Sequence, residues 1–149
     1  VLAGALIVGV ARGVAIVLED GHILDTIVFG LGEAGGVLPP VLFDVGMFLM
    51  QAVFNLIVPS GSGQALVTLP VLAPLSDILG VSRQSAVLAY QTGDGMTNVL
   101  YPTSGYFMAA LLVGRIPWNR WVRFYAPLLG IWVLISIGFL IFAQVTGWS

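Results

Sequence analysis

Residues 125–146 form a run of apolar and uncharged polar side chains in which no residue carries a formal charge. About 20 residues of this kind in a helix span a hydrocarbon core of roughly 30 Å. The composition agrees, because only 8% of the 149 residues are charged and the mean hydropathy is +1.04, whereas soluble domains carry about 25% charged residues. The run therefore predicts a terminal span over residues 122–146 in an all-α membrane protein.

The residue types that the chain lacks exclude several kinds of site. It has no cysteine and no lysine, which excludes disulfides, thiolate metal sites and the lysine-containing phosphate loop. Its only histidine, His22, lies in a charged break, and Ser-Gly-Ser-Gly lacks the register of a nucleophile elbow. Without a metal-ligand cluster or a basic stripe, we expect neither an enzyme nor a partner of nucleic acid.

The positive charge is concentrated in one loop before the terminal span. Three of the five basic residues lie there, at Arg115, Arg120 and Arg123. Because cytoplasmic loops carry an excess of basic residues, we expect this loop in the cytoplasm and the C-terminus outside it. Trp118 and Trp121 lie at one end of the span and Trp148 at the other, as expected for rings at the two headgroup levels.

The chain divides into apolar segments separated by glycine, proline and polar residues. Residues 1–31 predict a helix broken at Glu19-Asp20-Gly21-His22, and a new helix is expected near Pro40. The first residue is not a methionine and no basic segment precedes the first apolar run, so we expect a fragment or a processed product rather than a signal peptide. We expect residues 1–149 to form a single transmembrane domain.

Residues 41–79 predict a re-entrant helical hairpin with its tip at residues 59–64. No charged loop separates the two apolar arms, and a turn that stays at membrane depth needs small polar side chains to satisfy its backbone. The second arm, over residues 65–75, has about 11 residues and is too short to cross the bilayer.

Residues 83–113 predict one discontinuous transmembrane helix. Ser82 is expected to cap a short piece over residues 85–91, which ends at Thr92, and a second piece runs over residues 106–113. Residues 92–98 between the pieces read Thr-Gly-Asp-Gly-Met-Thr-Asn. Broken helices of this kind are typical of transporters.

The two interruptions predict one substrate and ion site, because a helix is broken at membrane depth only where its freed backbone groups meet a ligand, an ion or water. The opposing interpretation is that the small residues only pack helices together. The candidate residues are Ser60, Gly61, Ser62, Gly63 and Gln64 at the tip, and Asp94, Thr97, Asn98, Thr103 and Ser104 at the break.

Asp94 is the most informative single residue, because an aspartate at membrane depth must be protonated or paired with a cation. Na⁺ could be held by Asp94 and Asn98. The alternative is a structural ion pair of Asp94 with Arg12 or Arg83. Asp44 raises the same question, unless it lies near enough to the headgroups to be solvated, and Arg12 could pair with either aspartate or with a substrate carboxylate.

Several long motifs resemble one transporter family. They are Asn55-Leu-Ile-Val-Pro-Ser-Gly-Ser-Gly-Gln-Ala65, Leu69-Pro-Val-Leu-Ala-Pro-Leu-Ser-Asp77, Gly80-Val-Ser-Arg-Gln84, Gly93-Asp-Gly-Met-Thr-Asn98 and Pro102-Thr-Ser-Gly105. The chain resembles the YfcC/C4-dicarboxylate anaerobic carrier family of the ion transporter superfamily. The resemblance implies the second of two inverted repeats in a multi-pass protein of the bacterial inner membrane, completed by its N-terminal half. It also implies a homodimer with an elevator-like transport domain.

The resemblance implies a secondary transporter that works by alternating access, with the hairpin as external gate. In related transporters, Ser-Asn-Thr motifs at the two breaks bind a carboxylate and Na⁺. We expect cation-coupled symport or exchange of a C4-dicarboxylate or an amino acid, with Na⁺ or H⁺ as coupling ion and no other cofactor. Asp94 favours an amino acid, because a fixed carboxylate repels a dianion unless a cation intervenes. A channel-forming or structural membrane subunit is the alternative, and a membrane-embedded enzyme comes third.

Overall fold

The computed structural model describes residues 38–148 continuously and, before them, residues 13, 16, 17, 20–23, 26, 30 and 33. The predicted broken helix over residues 1–31 and Arg12 thus lie outside the described residues, apart from those isolated positions. The continuous part consists of five helices and no strand. The helices are α1 Pro40–Phe54, α2 Gly61–Ile78, α3 Arg83–Thr97, α4 Gly105–Val113 and α5 Trp118–Thr146.

Helix α1 begins at Pro40, as the sequence predicts, because proline at the first helical position lacks only an N–H that would be unpaired there. Its buried face is partly polar. Asp44, Gln51 and the capping residue Asn55 have no exposed surface, and steps of seven and four residues place them along one side of the helix. Phe43, Met47, Phe48 and Phe54 complete the buried face.

The closest helix contact joins α1 and α3. A Cβ atom at Gly93 would lie 2.7 Å from the carbonyl oxygen of Phe48 and 2.9 Å from the Cβ of Gln51. Small residues repeat every fourth position along α3, and all of them are buried: Ser85, Ala89, Gly93 and Thr97. Small residues at this spacing let two helix backbones approach closely, which is a common basis of helix packing in membranes.

Helix α2 has 18 residues, so the prediction of a second arm of about 11 residues was wrong. The Ser60 hydroxyl accepts a hydrogen bond from the Gly63 N–H at 3.4 Å, which starts the helix inside the predicted tip. Pro70 and Pro74 lie within α2 and do not end it. The non-helical segment between α1 and α2 is therefore residues 55–60, and residues 61–64 form the first turn of α2.

Helix α3 continues through Gly93, Asp94 and Gly95 to Thr97, so the prediction that its helical piece ends at Gln91 was wrong. A glycine costs about 1 kcal/mol in a helix relative to alanine, and at Gly93 the close packing on α1 offsets that cost. The connection to α4 comprises residues 98–104. The predicted cap is confirmed, because the Ser82 hydroxyl accepts from the Ser85 N–H at 3.1 Å.

Helix α5 is, within the described residues, the one helix long and apolar enough to cross a bilayer, with 29 residues and a mean hydropathy of 2.4 over an 18-residue stretch of it. It begins at Trp118, four residues before the predicted start. Its far end lies at the start of α3, because Gln144 donates to the carbonyl oxygen of Gly80 at 3.1 Å and Ser82 donates to that of Trp148 at 2.7 Å.

Candidate functional site

The hairpin tip and the last turns of α3 meet at Gly61 and Asp94. The Tyr90 hydroxyl donates to the carbonyl oxygen of Gly61. A Cβ atom at position 61 would lie 3.1 Å from Oδ2 of Asp94, which is tighter than ordinary contact. Glycine at position 61 therefore lets the backbone of the tip lie against the Asp94 carboxylate. The two predicted parts of the site are brought together here.

Asn55 connects the end of α1 to the end of α3. Its Nδ2 donates to the carbonyl oxygen of Asp94 at 3.0 Å and to Oγ1 of Thr97 at 2.8 Å. Oγ1 of Thr97 donates in turn to the carbonyl oxygen of Gly93 at 2.7 Å. The Thr97 hydroxyl is thus already used within the protein, and its role is to hold Asn55 beside Asp94.

A second buried network joins α1 to the first turns of α2. Nε2 of Gln64 donates to the carbonyl oxygen of Gln51 at 2.9 Å and to its Oε1 at 2.6 Å. Nε2 of Gln51 donates to Oγ1 of Thr68 at 3.0 Å. None of the three side chains has exposed surface, so the network fixes where the tip lies relative to α1.

Four residues of these networks were missed as site residues by the sequence analysis, namely Gln51, Asn55, Thr68 and Tyr90. A signal was present for two of them. Gln51 and Asn55 stand four residues apart in an otherwise apolar helix, and residues at that spacing share a helix face. Thr68 and Tyr90 have no such signal, because single threonines and tyrosines are common in apolar helices.

Four buried oxygen atoms around the tip have no hydrogen-bond donor among the described residues. They are Oδ1 of Asn55, Oε1 of Gln64, Oδ1 of Asp94 and Oδ1 of Asn98. A buried polar group left unpaired costs about 1–3 kcal/mol. All four atoms are acceptors, so the site is chemically suited to a cation or to a ligand that brings N–H or O–H groups.

The other predicted site residues have different surroundings. Ser60 caps α2, and Ser62 in the first turn is exposed. A Cβ atom at Gly63 would lie 3.2 Å from Oγ of Ser60, so this glycine makes room for the cap. Thr103 and Ser104 lie in the connection after α3, and their hydroxyls bond to no described residue. No hydrogen bond within residues 38–148 ties these two side chains to Asp94.

Three aromatic side chains of α5 donate to the carbonyl oxygens freed where α3 ends. Tyr125 donates to Met96 at 2.8 Å, Trp121 to Val99 at 2.7 Å and Trp118 to Leu100 at 2.9 Å. The donors stand three and four residues apart, so they share one face of α5. The two tryptophans predicted at the headgroup level therefore also satisfy the helix break.

The structure contradicts two of the alternatives that the sequence left open for charged residues, one for Arg83 and one for Asp44. Arg83 pairs with Asp77 at 2.7 Å on the surface, so the pairing of Arg83 with Asp94 was wrong. The hydrogen bond from Arg83 lowers the pKa of Asp77. Asp44 is fully buried among described residues, which contradicts the alternative that it is solvated near the headgroups.

The sequence model of the family described as C4-dicarboxylate anaerobic carrier matches residues 1–145 of the chain. The chain belongs to this family. The C4-dicarboxylate anaerobic carrier resemblance expected from the motifs is thereby confirmed, and the match points to a carrier.

Two relatives match the chain along nearly its whole length. A protein of Escherichia coli (strain K12) named "Putative basic amino acid antiporter YfcC" is 42% identical over 99% of this chain. A protein of Haemophilus influenzae (strain ATCC 51907 / DSM 11121 / KW20 / Rd), named "Uncharacterized protein", is 39% identical over 97% of it. The chain spans 30% and 28% of the lengths of these relatives. No solved structure matches the chain.

Proposed function

We propose that the chain forms a substrate-binding part of the C-terminal half of a secondary active transporter for a small carboxylate-bearing metabolite. The observation that carries the proposal is the contact of the Asp94 carboxylate with the backbone of Gly61 at the hairpin tip. Residues of the tip, of the end of α1 and of the end of α3 also carry buried oxygen acceptors that have no donor in the described part of the chain. Such a site can bind a cation or a ligand with polar hydrogens, and it is built from the ends of two helices, where transporters bind their substrates.

The charge of Asp94 decides how each substrate class would bind. An amino acid would place its ammonium group against Asp94, and the printed name of the Escherichia coli relative fits this class. A dicarboxylate would need Na⁺ or H⁺ between itself and Asp94, because like charges at close range repel. Asn98 and Asn55 supply oxygens for such a cation. Symport and exchange are both compatible with this arrangement.

The membrane arrangement follows from the same proposal. Residues 41–79 form a re-entrant hairpin that acts as external gate, residues 83–113 a discontinuous helix, and residues 122–146 a terminal span. The exposed apolar side chains of α5, such as Phe124 and Leu134, support contact with lipid. Residues 1–149 then form one transmembrane domain of a multi-pass protein in the bacterial inner membrane, with its C-terminus extracytoplasmic, paired with its N-terminal half and dimeric.

The test is exchange by the full-length protein in proteoliposomes. Vesicles are loaded with arginine, ornithine, succinate or malate, and uptake of the labelled compound is followed with and without a Na⁺ gradient. Saturable amino-acid exchange would make Asp94 an ammonium ligand. Dicarboxylate uptake driven by Na⁺ would make it an ion ligand. Flux that does not saturate with any of the four would contradict the proposal and favour a channel.

The matched variants are Asp94→Asn and Asp77→Asn. We expect Asp94→Asn to insert normally and to lose ion coupling or recognition of the ammonium group. Asp77→Asn removes a carboxylate of the same size from an exposed ion pair, and it should transport like the unaltered protein. Normal coupled transport by Asp94→Asn would show that the site is not at the tip.

A further inference from the structure

Asp44 is a buried carboxyl group that the proposed substrate site does not use. Its side chain has no exposed surface, and neither of its carboxylate oxygens has a hydrogen-bond donor among the described residues. The neighbouring residues Phe43, Met47 and Phe48 belong to the apolar core. An ionised carboxylate in such a place is costly unless a cation or a proton compensates it.

Ser85 of α3 is the polar partner that the interface offers to Asp44. Its side chain is also fully buried, and its hydroxyl bonds to no described residue. Its hydroxyl lies within reach of the Asp44 carboxyl, although the pair makes no hydrogen bond of normal geometry. A neutral carboxylic acid can donate its O–H to the oxygen of a serine hydroxyl. An ionised carboxylate can only accept a hydrogen bond from the serine O–H.

The other ionisable groups on the helices packed against α1 are engaged elsewhere. On α3, Arg83 pairs with Asp77 of α2 at the surface, and Tyr90 donates to the tip. Asp94 lies nine residues beyond Ser85, about 14 Å along the helix. On α5, residues 124–146 contain one ionisable group, Tyr125, which donates to Met96. Arg120 and Arg123 precede this stretch and are exposed.

Metal cations take several oxygen ligands, whereas Ser85 is the one polar side chain that the described part of the chain is known to place beside Asp44. A proton needs only one group that binds it, here the Asp44 carboxylate, and one hydrogen-bond acceptor for the resulting O–H, here Ser85. We propose that Asp44 and Ser85 form a proton-binding site of the transporter, separate from the site at Asp94. The proton forms an O–H bond with Asp44 that is donated to Oγ of Ser85, and it leaves to water when the carrier's movement brings water to Asp44.

This inference rests on the proposed transport function, and the experiment separates the two. The full-length protein in proteoliposomes is given labelled arginine or succinate, and steady-state accumulation is measured under an imposed pH gradient. For one coupled proton, accumulation changes by about tenfold per pH unit, because one unit corresponds to 1.36 kcal/mol. Counterflow without a gradient measures transport independently of coupling.

Three variants test the assignment. Asp44→Asn should reduce the accumulation ratio to about 1 under every gradient, and Ser85→Ala should shift the pH at which counterflow is half-maximal. Asp77→Asn, at the exposed ion pair, should leave both quantities as in the unaltered protein. Accumulation by Asp44→Asn that still follows the pH gradient would overturn the proposal. If the unaltered protein carries neither probe, the proposed function is at fault.

A second measurement decides the matter even if Asp44→Asn transports nothing. Infrared spectra of the purified full-length protein are recorded as a function of pH. We expect a carboxylic-acid C=O band that disappears at high pH, is missing in Asp44→Asn and persists in Asp94→Asn. Absence of any such difference between the unaltered protein and Asp44→Asn would show that Asp44 holds no proton, which overturns the proposal.

Discussion

The indole N–H of Trp121 donates to the carbonyl oxygen of Val99 at 2.7 Å, which joins α5 to the first residues after α3. Trp121 also stacks on Tyr125, with ring centroids 5.7 Å apart and an interplanar angle of 13°. The terminal helix therefore does more than anchor the chain. It stabilises the backbone between α3 and α4, next to the proposed site.

Trp121→Phe should lower the stability of the full-length protein by about 1–3 kcal/mol, because it removes the donor to a partly buried carbonyl group while keeping a ring. The measurement is thermal unfolding in detergent. Trp132→Phe is the matched control, since the Trp132 indole N–H donates to no residue in the described part of the chain. This substitution should lower the stability less than Trp121→Phe does. Equal losses in both variants would mean that ring size matters and the hydrogen bond does not.

Gly93→Ala should destabilise the protein by about 1–3 kcal/mol, the usual cost of overpacking a tight contact. The added Cβ would meet the backbone of Phe48 at 2.7 Å, and backbone cannot move aside cheaply. Gly95→Ala, two residues away in the same helix, meets nothing within 4 Å. It should be neutral or stabilising by up to about 1 kcal/mol. A well-tolerated Gly93→Ala would contradict the close α1–α3 contact.

Gly61→Ala should weaken substrate binding more than it weakens folding. The new Cβ would lie 3.1 Å from Oδ2 of Asp94 and displace the carboxylate from the tip. A loss of about 1.4 kcal/mol of substrate-binding free energy would raise the half-saturation concentration about tenfold. Gly46→Ala is the control, since its Cβ would meet only Leu38 at an ordinary 3.7 Å. Unchanged half-saturation in Gly61→Ala would argue that the tip only packs.

Asn55→Ala should impair both stability and transport, because two donors to α3 are lost at once. The hydrogen bonds to the Asp94 carbonyl and to Thr97 are buried. The free energy of unfolding should therefore fall by about 1–3 kcal/mol for each partner left unpaired. Gln91→Ala, at an exposed amide on α3, provides the comparison. Transport by Asn55→Ala at the normal rate would show that the tip and α3 need no such connection.

Much of the fold can be predicted from the sequence because local signals dominate it. Proline at position 40 and serine at position 82 mark helix starts, and the charge-free run over residues 125–146 predicts the terminal helix. The end of α3 was predicted six residues early, since two glycines beside Asp94 are typical of a break. Only the packing of Gly93 on α1, a contact between distant parts of the chain, explains why the helix continues.

The candidate site was predicted in outline for the same reason. The polar motifs identify Gly61, Gln64 and Asp94, and the structure brings the tip and α3 together. Hydrogen-bond partners cannot be predicted in this way, because Asn55 is linked to Asp94 across 39 positions of the chain. The exposed position of Ser62 also follows from the helical phase of α2, which starts at Gly61, four residues before the predicted second arm.

The tight seating of Gly93 on α1 makes α1 and α3 a single stiff element, with Asp44 on one helix and Asp94 on the other. In the elevator-like movement that the family resemblance implies, both aspartates would travel through the membrane electric field together. A full elementary charge crossing that field is worth about 2.3 kcal/mol for each 100 mV. Whether these carboxyl groups travel neutral or ionised would then set how strongly the membrane voltage assists or opposes each half of the transport cycle.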